Sequence, residues 1–396
     1  MAARRKPSLT PEEARRLHEA ALVIDAQQPP VIGGFLFTEA MRATLAEYHR
    51  RGFTREEVMP IMADLAVREL QTSPAARQTY LEFWRTSGVT VACGTFSGSH
   101  KLSDAFEVAV KRIAQAYGVI EALGGALRVC RTAADIEAAH RDGVHGLVLD
   151  FQNTTPFGDA LERIELFANL GVRMVQLTYN LQNLVGDGCT EAYGGGLTYF
   201  GREVVQRLNA HRILVDVSHC SEQVAWDALK VSSAPVIVSH SSSKAVCYHD
   251  RGKSDELARA IADRGGFFGV VVIPGFLSEQ PEPTLDVFCD HVEHLVDVMG
   301  IDHVGIGTDK AGPGPGTDSM VVYPPDMPLR RPDAFNWAGF RDAEHRLTPN
   351  FRLRGFEKFS DWPNLTVALA QRGFTEDELR KLLGLNFLRV FRDVCG

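Results

Sequence analysis

The run ILVDVSH, residues 213–219, is a short β-branched segment that ends in a histidine, and PVIVSH at 235–240 ends in the same way. Each run is too short for a buried helix and leads into polar residues, which is typical of a strand buried on both faces. Six further runs of this kind are ALVIDA (21–26), VTVACGTF (89–96), HGLVLDF (145–151), VRMVQLTY (172–179), FFGVVVI (267–273) and HVGIGTD (303–309). Amphipathic helix-like stretches separate most of them, for example at 104–123, 160–171, 200–211 and 285–300.

A parallel barrel closes with eight strands that alternate with helices, and this sequence has eight such strands. The sequence therefore predicts an α/β fold, a (β/α)8 TIM barrel. A doubly wound open sheet is the alternative, and the absence of a Gly-rich phosphate-binding turn after any strand weakens it without excluding it. Long segments follow the first strand, at 34–85, and the eighth, at 310–362, where barrel loops line or cover an active site. We expect residues 1–396 to form one barrel domain.

The composition is that of a globular protein, with 45% hydrophobic and 23% charged residues, and excludes a disordered or fibrous chain. The net charge of -8 and the scattered basic residues offer no surface for nucleic acid. The seven cysteines are odd in number and include no C-x-x-C pair, which suits a reducing compartment. No run of 18 uncharged apolar residues occurs, so no transmembrane helix is predicted. The N-terminus is basic, but the apolar run of a signal peptide does not follow it, so we expect a cytoplasmic protein with no membrane contact.

The carboxyl ends of the strands form the catalytic face of a barrel, and three metal-ligating side chains lie there. His219 and His240 end neighbouring strands, and Asp309 ends the eighth strand, which lies beside the first. Two histidines, one carboxylate and a water make an open catalytic zinc site. For either histidine alone, a hydrogen bond to loop backbone is the simpler alternative. The three together predict a metal centre.

Five stretches carry a resemblance to a known family: LGVRMVQLTYN (170–180), ILVDVSHCSEQVAWDAL (213–229), APVIVSHSSSKAVCYHDRGKSDE (234–256), HVGIGTD (303–309) and DWPNLTVALAQRGFTEDELRKLLGLNFLRVF (361–391). Over nearly the whole chain the sequence resembles the membrane (renal) dipeptidase family of metallopeptidases, within the amidohydrolase superfamily. The resemblance implies a homodimer that hydrolyses a dipeptide-like substrate with a binuclear zinc pair, one ion of which His219 and His240 bind. It also implies that Asp309 helps to bind metal and handles the proton. Arg251 then receives the substrate carboxylate, unless it is an ordinary surface arginine.

The chain departs from the family pattern at four positions. Gln27 and Pro29 stand where the family has a His-x-Asp pair, Gln152 replaces its bridging glutamate, and Tyr179 replaces a histidine that supports the tetrahedral intermediate. Proline has no ligand atom and a neutral amide is a poor zinc ligand, so we predict one zinc ion rather than two. Tyr179 and Asp309 are the predicted catalytic residues, and Gln152 is predicted to bind water or substrate. Simple packing of Tyr179 and a backbone contact of Gln152 are the alternatives.

Two classes of function follow from these residues. The first is a metal-dependent hydrolase that cleaves the amide bond of a small dipeptide or N-acyl amino acid, with Arg251 holding the substrate carboxylate. The second is a non-hydrolytic descendant on the same barrel: a lyase, an isomerase, or a metal-free binding protein or pseudoenzyme. The metal content of the purified protein discriminates between them.

Overall fold

The structure is a computed structural model that describes residues 7–28, 32, 34–98, 100–310, 320–341, 343–347 and 352–396. Its strands are β1 (Ile24–Asp25), β2 (Val91–Thr95), β3 (Leu127–Val129), β4 (His145–Phe151), β5 (Val172–Gln176), β6 (Leu214–Asp216), β7 (Val236–Ser241), β8 (Phe267–Val270) and β9 (Val304–Ile306). All pairings between them are parallel.

Eight of the strands follow one another around a barrel in the order β1-β2-β4-β5-β6-β7-β8-β9. Two backbone hydrogen bonds link the last strand region to the first: Ala26 N–H donates to the Ile306 carbonyl at 3.0 Å, and Asp309 N–H to that of Gln27 at 2.8 Å. The prediction of a (β/α)8 barrel is therefore confirmed, and the open-sheet alternative is wrong. That residues 1–396 form one domain stays a prediction.

The helices of the structure are α1 (Pro11–Ala20), α2 (Glu39–Arg50), α3 (Arg55–Thr72), α4 (Pro74–Ser87), α5 (Ala105–Ala122), α6 (Ala133–Arg141), α7 (Glu162–Leu170), α8 (Tyr199–Ala210), α9 (Glu222–Val231), α10 (Asp255–Asp263), α11 (Pro274–Leu277), α12 (Leu285–Met299), α13 (Trp362–Gln371), α14 (Glu376–Arg380) and α15 (Asn386–Cys395). The segment after the first strand folds into α2, α3 and α4. In the described parts of the segment after β9, by contrast, the first helical turn is a 3-10 turn, Phe359–Asp361. Within the described ranges, no helix is both long and apolar enough to cross a membrane.

Alternate residues of the barrel strands belong to two different cores, as the pleat of a strand requires. Inward-facing side chains such as Cys93, Val148, Met174 and Leu214 fill the barrel itself. Their neighbours in sequence pack outward against the helices. Because both faces of each strand are buried, the runs are apolar throughout. Polar side chains that face the barrel interior therefore mark where the apolar core ends and the barrel mouth begins.

Glycines allow the strands around β7 to approach each other closely. A Cβ atom added at Gly269 would lie 2.0 Å from the Ser239 carbonyl oxygen, and one at Gly307 would lie 2.1 Å from the same atom. Real Cβ atoms do not come this near to backbone, so the two glycines are required where β8 and β9 pass Ser239. The residue after Ser239 is His240, and its placement therefore depends on these contacts.

The sequence did not predict β3. This three-residue strand pairs with the start of β4, outside the eight-strand path, from Leu127↔His145 to Val129↔Leu147. It is short and lies in ALRVCR, directly after a long helix, so its pattern was too brief to register as a separate apolar run.

Candidate metal centre

Three side chains from the ends of β6, β7 and β9 converge at the barrel mouth. Ligand atoms of His219, His240 and Asp309 all lie within 4.8 Å of one another. The two histidine Nε2 atoms are 2.9 Å apart, and His240 Nε2 is 3.9 Å from Asp309 Oδ2. Both histidines are buried, whereas 19% of the Asp309 side chain is exposed. The structure thus brings together the three residues that the sequence selected as metal ligands.

Asn180 fixes the tautomer of His219. The Asn180 side chain donates from Nδ2 to the Ala338 carbonyl at 2.5 Å, which turns its Oδ1 atom toward His219 Nδ1 at 2.6 Å. An amide oxygen can only accept, so His219 carries its proton on Nδ1 and presents a lone pair at Nε2. Ala338 belongs to the long segment after β9, which therefore reaches over the site as predicted.

The Ser239 hydroxyl and the Asp216 carboxylate fix the tautomer of His240, which is the same as that of His219. The Ser239 hydroxyl donates to Asp216 Oδ2 at 2.5 Å, and its oxygen lies 2.8 Å from His240 Nδ1. Because that hydroxyl proton is directed to Asp216, His240 Nδ1 is the donor and its Nε2 bears a lone pair. Burial raises the pKa of Asp216, opposed by hydrogen bonds from Ser218 and Ser239.

The two unprotonated Nε2 atoms consequently face each other. Burial, with the Arg251 charge as the next cause, lowers the pKa of both His219 and His240 well below the usual range, so both imidazoles are neutral. Two nitrogen lone pairs at 2.9 Å repel each other unless an electrophile lies between them. A metal ion satisfies both, and two imidazoles with one carboxylate form a donor set that suits zinc.

The backbone of Asp309 is held in a conformation that few non-glycine residues adopt. Its φ is +56°, in the left-handed region, and its N–H is bound to the Gln27 carbonyl. The preceding Thr308 is anchored by its N–H and hydroxyl to the buried Asp25 carboxylate, which also accepts from Trp362 Nε1. Packing of the barrel against α13 thus holds the Asp309 side chain toward the histidines. Backbone strain of this kind is concentrated at functional sites.

Tyr179 lies in a stack of three rings. Its ring centroid is 4.2 Å from that of His219 and 4.4 Å from that of His100, with interplanar angles of 20° and 28°. Sequence reasoning missed His100, because it lies beyond β2 in a loop rather than at the strand end. Burial lowers the pKa of His100 to about 4, and its Nδ1 contacts Asn153 Nδ2 at 3.3 Å. A neutral imidazole therefore backs the tyrosine.

Comparison with known proteins agrees with this geometry. The sequence model of the membrane dipeptidase family (peptidase family M19) matches residues 80–320 and 349–395. The chain belongs to the membrane dipeptidase family. Membership makes it a metallodipeptidase-type hydrolase by descent.

Among curated relatives of this chain, dipeptidase tcpJ of Claviceps purpurea (strain 20.1) is 29% identical over 279 residues. That match covers 70% of this chain but only 57% of the fungal protein. A Klebsiella pneumoniae protein, described as uncharacterized and in the pqqA 5' region, is 30% identical over 301 residues, which cover 74% of this chain and 97% of that protein. The crystal structure of an amidohydrolase from Pseudomonas aeruginosa is similar with a TM-score of 0.71 at 30% identity, over 98% of this chain and 99% of the other.

The arginine that the dipeptidase resemblance assigns to substrate binding is fully buried here. Arg251 donates from its two terminal nitrogens to the carbonyl oxygens of Ser218, at 2.5 Å, and His240, at 2.9 Å. Its Nε–H has no hydrogen-bond partner. The alternative of an ordinary surface arginine is therefore wrong, because this guanidinium links the strand ends that carry both histidines.

Two of the positions at which this chain departs from the family pattern, Gln27 and Gln152, follow the strands β1 and β4. Gln27 is buried, and both of its amide atoms lack a hydrogen-bond partner. Gln152 is buried as well, and its side-chain Nε2 has no hydrogen-bond partner. Its backbone carbonyl oxygen accepts from Gln176 Nε2 at 2.8 Å. The role of Gln152 in binding water or substrate stays a prediction, and so does the alternative of a backbone contact. Pro29 lies outside the described residues.

Proposed function

We propose that this protein hydrolyses the amide bond of a small dipeptide or N-acyl amino acid with one zinc ion held by His219, His240 and Asp309. The observation that carries the proposal is the pair of facing, unprotonated Nε2 atoms, each fixed by its own hydrogen-bonded partner. Zinc bound there supplies Lewis acidity, which polarises a carbonyl and lowers the pKa of a water molecule. Proton transfer, stabilisation of the oxyanion and substrate binding are assigned to protein side chains.

Asp309 is the proposed proton carrier. It is the one member of the metal set with appreciable exposure, so its carboxylate can receive a proton from the attacking water and pass it to the leaving amine. Tyr179 is the proposed donor to the oxyanion, because stacking between His219 and His100 keeps its ring beside the metal ligands. Gln152, through its unpartnered Nε2, is the proposed anchor for water or substrate.

Arg251 remains the proposed partner of the substrate carboxylate. Its charge lies close enough to both metal-ligand histidines to lower their pKa. A carboxylate would accept from the unpartnered Nε–H, or would replace one of the two backbone carbonyls that the guanidinium now holds. We further propose a homodimer in the cytoplasm, supported by the family resemblance and by the cysteine pattern, and light scattering would test the assembly.

The rival function is a non-hydrolytic or metal-free descendant, favoured by the glutamines that replace acidic or imidazole ligands at positions 27 and 152. Zinc content and activity separate the two proposals. Purified protein should bind one zinc ion and hydrolyse members of a library of dipeptides and N-acyl amino acids. His219→Ala should lose both properties, while His140→Ala, at an exposed position on α6, should keep them. Zinc-loaded protein that hydrolyses nothing, together with unchanged metal content in His219→Ala, would contradict the hydrolase proposal.

A further inference from the structure

An aromatic side chain from the segment after β9 lies over the metal ligand His219. The ring centroid of Phe340 is 6.5 Å from that of His219, with an interplanar angle of 58°. The same ring lies 5.8 Å from that of Phe276 and 5.3 Å from that of His345. Separations of this size are contacts between aromatic rings. Phe340 is partly exposed, whereas Phe276 is buried, so Phe340 presents an apolar surface at the barrel mouth.

Hydrogen bonds hold the turn that carries Phe340. The Asn336 side chain donates to the Phe340 carbonyl at 2.5 Å and accepts from the Ala338 N–H at 3.1 Å. The Ala338 carbonyl accepts in turn from Asn180, the residue that orients His219. The position of the ring therefore depends on the same contacts that prepare the metal ligand.

A second anchor ties this segment to the loop that carries Arg251. His345 is buried, its Nε2 lies 3.2 Å from Asp250 Oδ2, and its carbonyl accepts from His249 Nε2 at 3.2 Å. His249 Nδ1 accepts from the Arg251 N–H at 3.0 Å, and burial lowers the pKa of His249 to about 3, so this imidazole is neutral. The segment that carries Phe340 is thus held both near the metal centre and near Arg251.

Phe340 lies between the metal centre and the arginine proposed to bind the substrate carboxylate. The Arg251 Cζ atom is 5.6 Å from the centroid of the Phe276 ring, and the Phe276 ring contacts that of Phe340. Arg251 also donates to the carbonyl of Ser218, the residue before His219. Phe340 therefore contacts His219 directly and reaches Arg251 through one intervening ring.

We propose that Phe340 contacts the side chain of the substrate residue that carries the carboxylate and selects an apolar side chain there. The inference rests on the proposed function, in which the scissile carbonyl lies at the metal centre and the carboxylate at Arg251. In a dipeptide, the α-carbon of the C-terminal residue joins the scissile nitrogen to the carboxylate. The side chain on that carbon is consequently the part of the substrate that lies beside Phe340.

The chemistry of the ring decides which side chain is favoured. Ring carbons offer no hydrogen bond, so a polar or charged side chain placed against Phe340 would lose water without gaining a partner. An apolar side chain would instead remove its own surface and that of the ring from water. The favoured substrate is therefore a dipeptide or N-acyl amino acid whose carboxylate-bearing residue is apolar.

Steady-state kinetics of the zinc-loaded protein with glycyl-leucine and glycylglycine test the proposal. The wild type should favour glycyl-leucine in kcat/KM by about 10–200-fold, the range over which small apolar differences are discriminated in a hydrophobic pocket. Phe340→Ala should lose most of this preference through a higher KM for glycyl-leucine, with glycylglycine little affected. Phe340→Leu should keep it. Phe335→Ala is the matched control, because Phe335 is an exposed aromatic residue of the same segment.

A preference that is unchanged in Phe340→Ala, or missing from the wild type, would overturn the proposal. An equal loss of kcat/KM on both dipeptides would also overturn it, because the ring would then only pack the loop. Zinc content should be the same in the wild type and both Phe340 variants.

Binding separates failure of this inference from failure of the proposed function. If the zinc-loaded wild type hydrolyses neither dipeptide, the proposed function has failed, and calorimetric titration with the same two dipeptides still tests Phe340. The wild type should bind glycyl-leucine more tightly than glycylglycine, and Phe340→Ala should bind the two alike. Equal affinities in the wild type would overturn the role of Phe340.

Discussion

Replacement of Asn180 by glycine tests whether the hydrogen bond to His219 Nδ1 prepares the metal ligand. Asn180 has φ +58°, a left-handed conformation that glycine adopts without strain, so Asn180→Gly removes the side chain and leaves the backbone free to keep its path. Alanine would add roughly 1–2 kcal/mol of strain at this φ and would confuse the result.

The expected loss follows from the contact itself. The 2.6 Å bond between Asn180 Oδ1 and His219 Nδ1 holds a metal ligand in one tautomer. Loss of such a partner lowers metal affinity by about 10–100-fold, or about 1.4–2.8 kcal/mol. Competition with a zinc chelator at fixed pH should show this fall. Arg212→Gly is the control, because Arg212 is also left-handed (φ +55°) but exposed and precedes β6.

Asn180→Asp separates orientation of His219 from packing of the loop above it. The carboxylate still accepts from His219 Nδ1 but can no longer donate to the Ala338 carbonyl. We expect zinc affinity at or above that of the wild type. If Asn180→Gly binds zinc as tightly as the wild type, or if the glycine and aspartate variants lose affinity equally, the tautomer argument is refuted.

Three further predictions concern the catalytic side chain, the response to pH and the closure of the barrel. Tyr179→Phe keeps the ring stack but removes the hydroxyl, so kcat should fall by about 10²–10³-fold with zinc affinity unchanged; steady-state kinetics with an unchanged kcat would remove Tyr179 from the mechanism. Burial lowers the pKa of His18 to about 4, so the unfolded chain binds the proton more readily than the folded protein does. The free energy of unfolding should therefore fall as the pH drops from about 6.5 to 4, by roughly 3 kcal/mol from this residue. Urea unfolding of metal-free His18→Gln should show a shallower fall than the wild type, and equal slopes would contradict this reading. Gly307→Ala should lower both the melting temperature and zinc occupancy, because its Cβ would meet the Ser239 carbonyl at 2.1 Å and displace the strand that carries His240; calorimetry with unchanged values would show that the barrel tolerates the methyl group.

The barrel could be predicted because its signal is local. Each strand is a short apolar run, and the number of runs limits the topology to a few choices. The strand-end rule then selected His219, His240 and Asp309 without any knowledge of distances. The sequence did not predict β3 because a strand of three residues is too short to show a recognisable apolar pattern. This strand is not one of the eight that form the barrel.

Other parts of the site could not be predicted because they depend on tertiary contacts. Asn180 is one polar residue among several after β5, and only its left-handed backbone and its bond to Ala338 aim its oxygen at His219. His100 joins the site through ring stacking across strands.

Anomalous scattering at the zinc edge, from crystals of the purified protein, tests the central claim most directly. Our account predicts one zinc peak bounded by His219 Nε2, His240 Nε2 and the Asp309 carboxylate. The absence of zinc at that place, with either Nε2 atom hydrogen-bonded as a donor to a protein group, would contradict it.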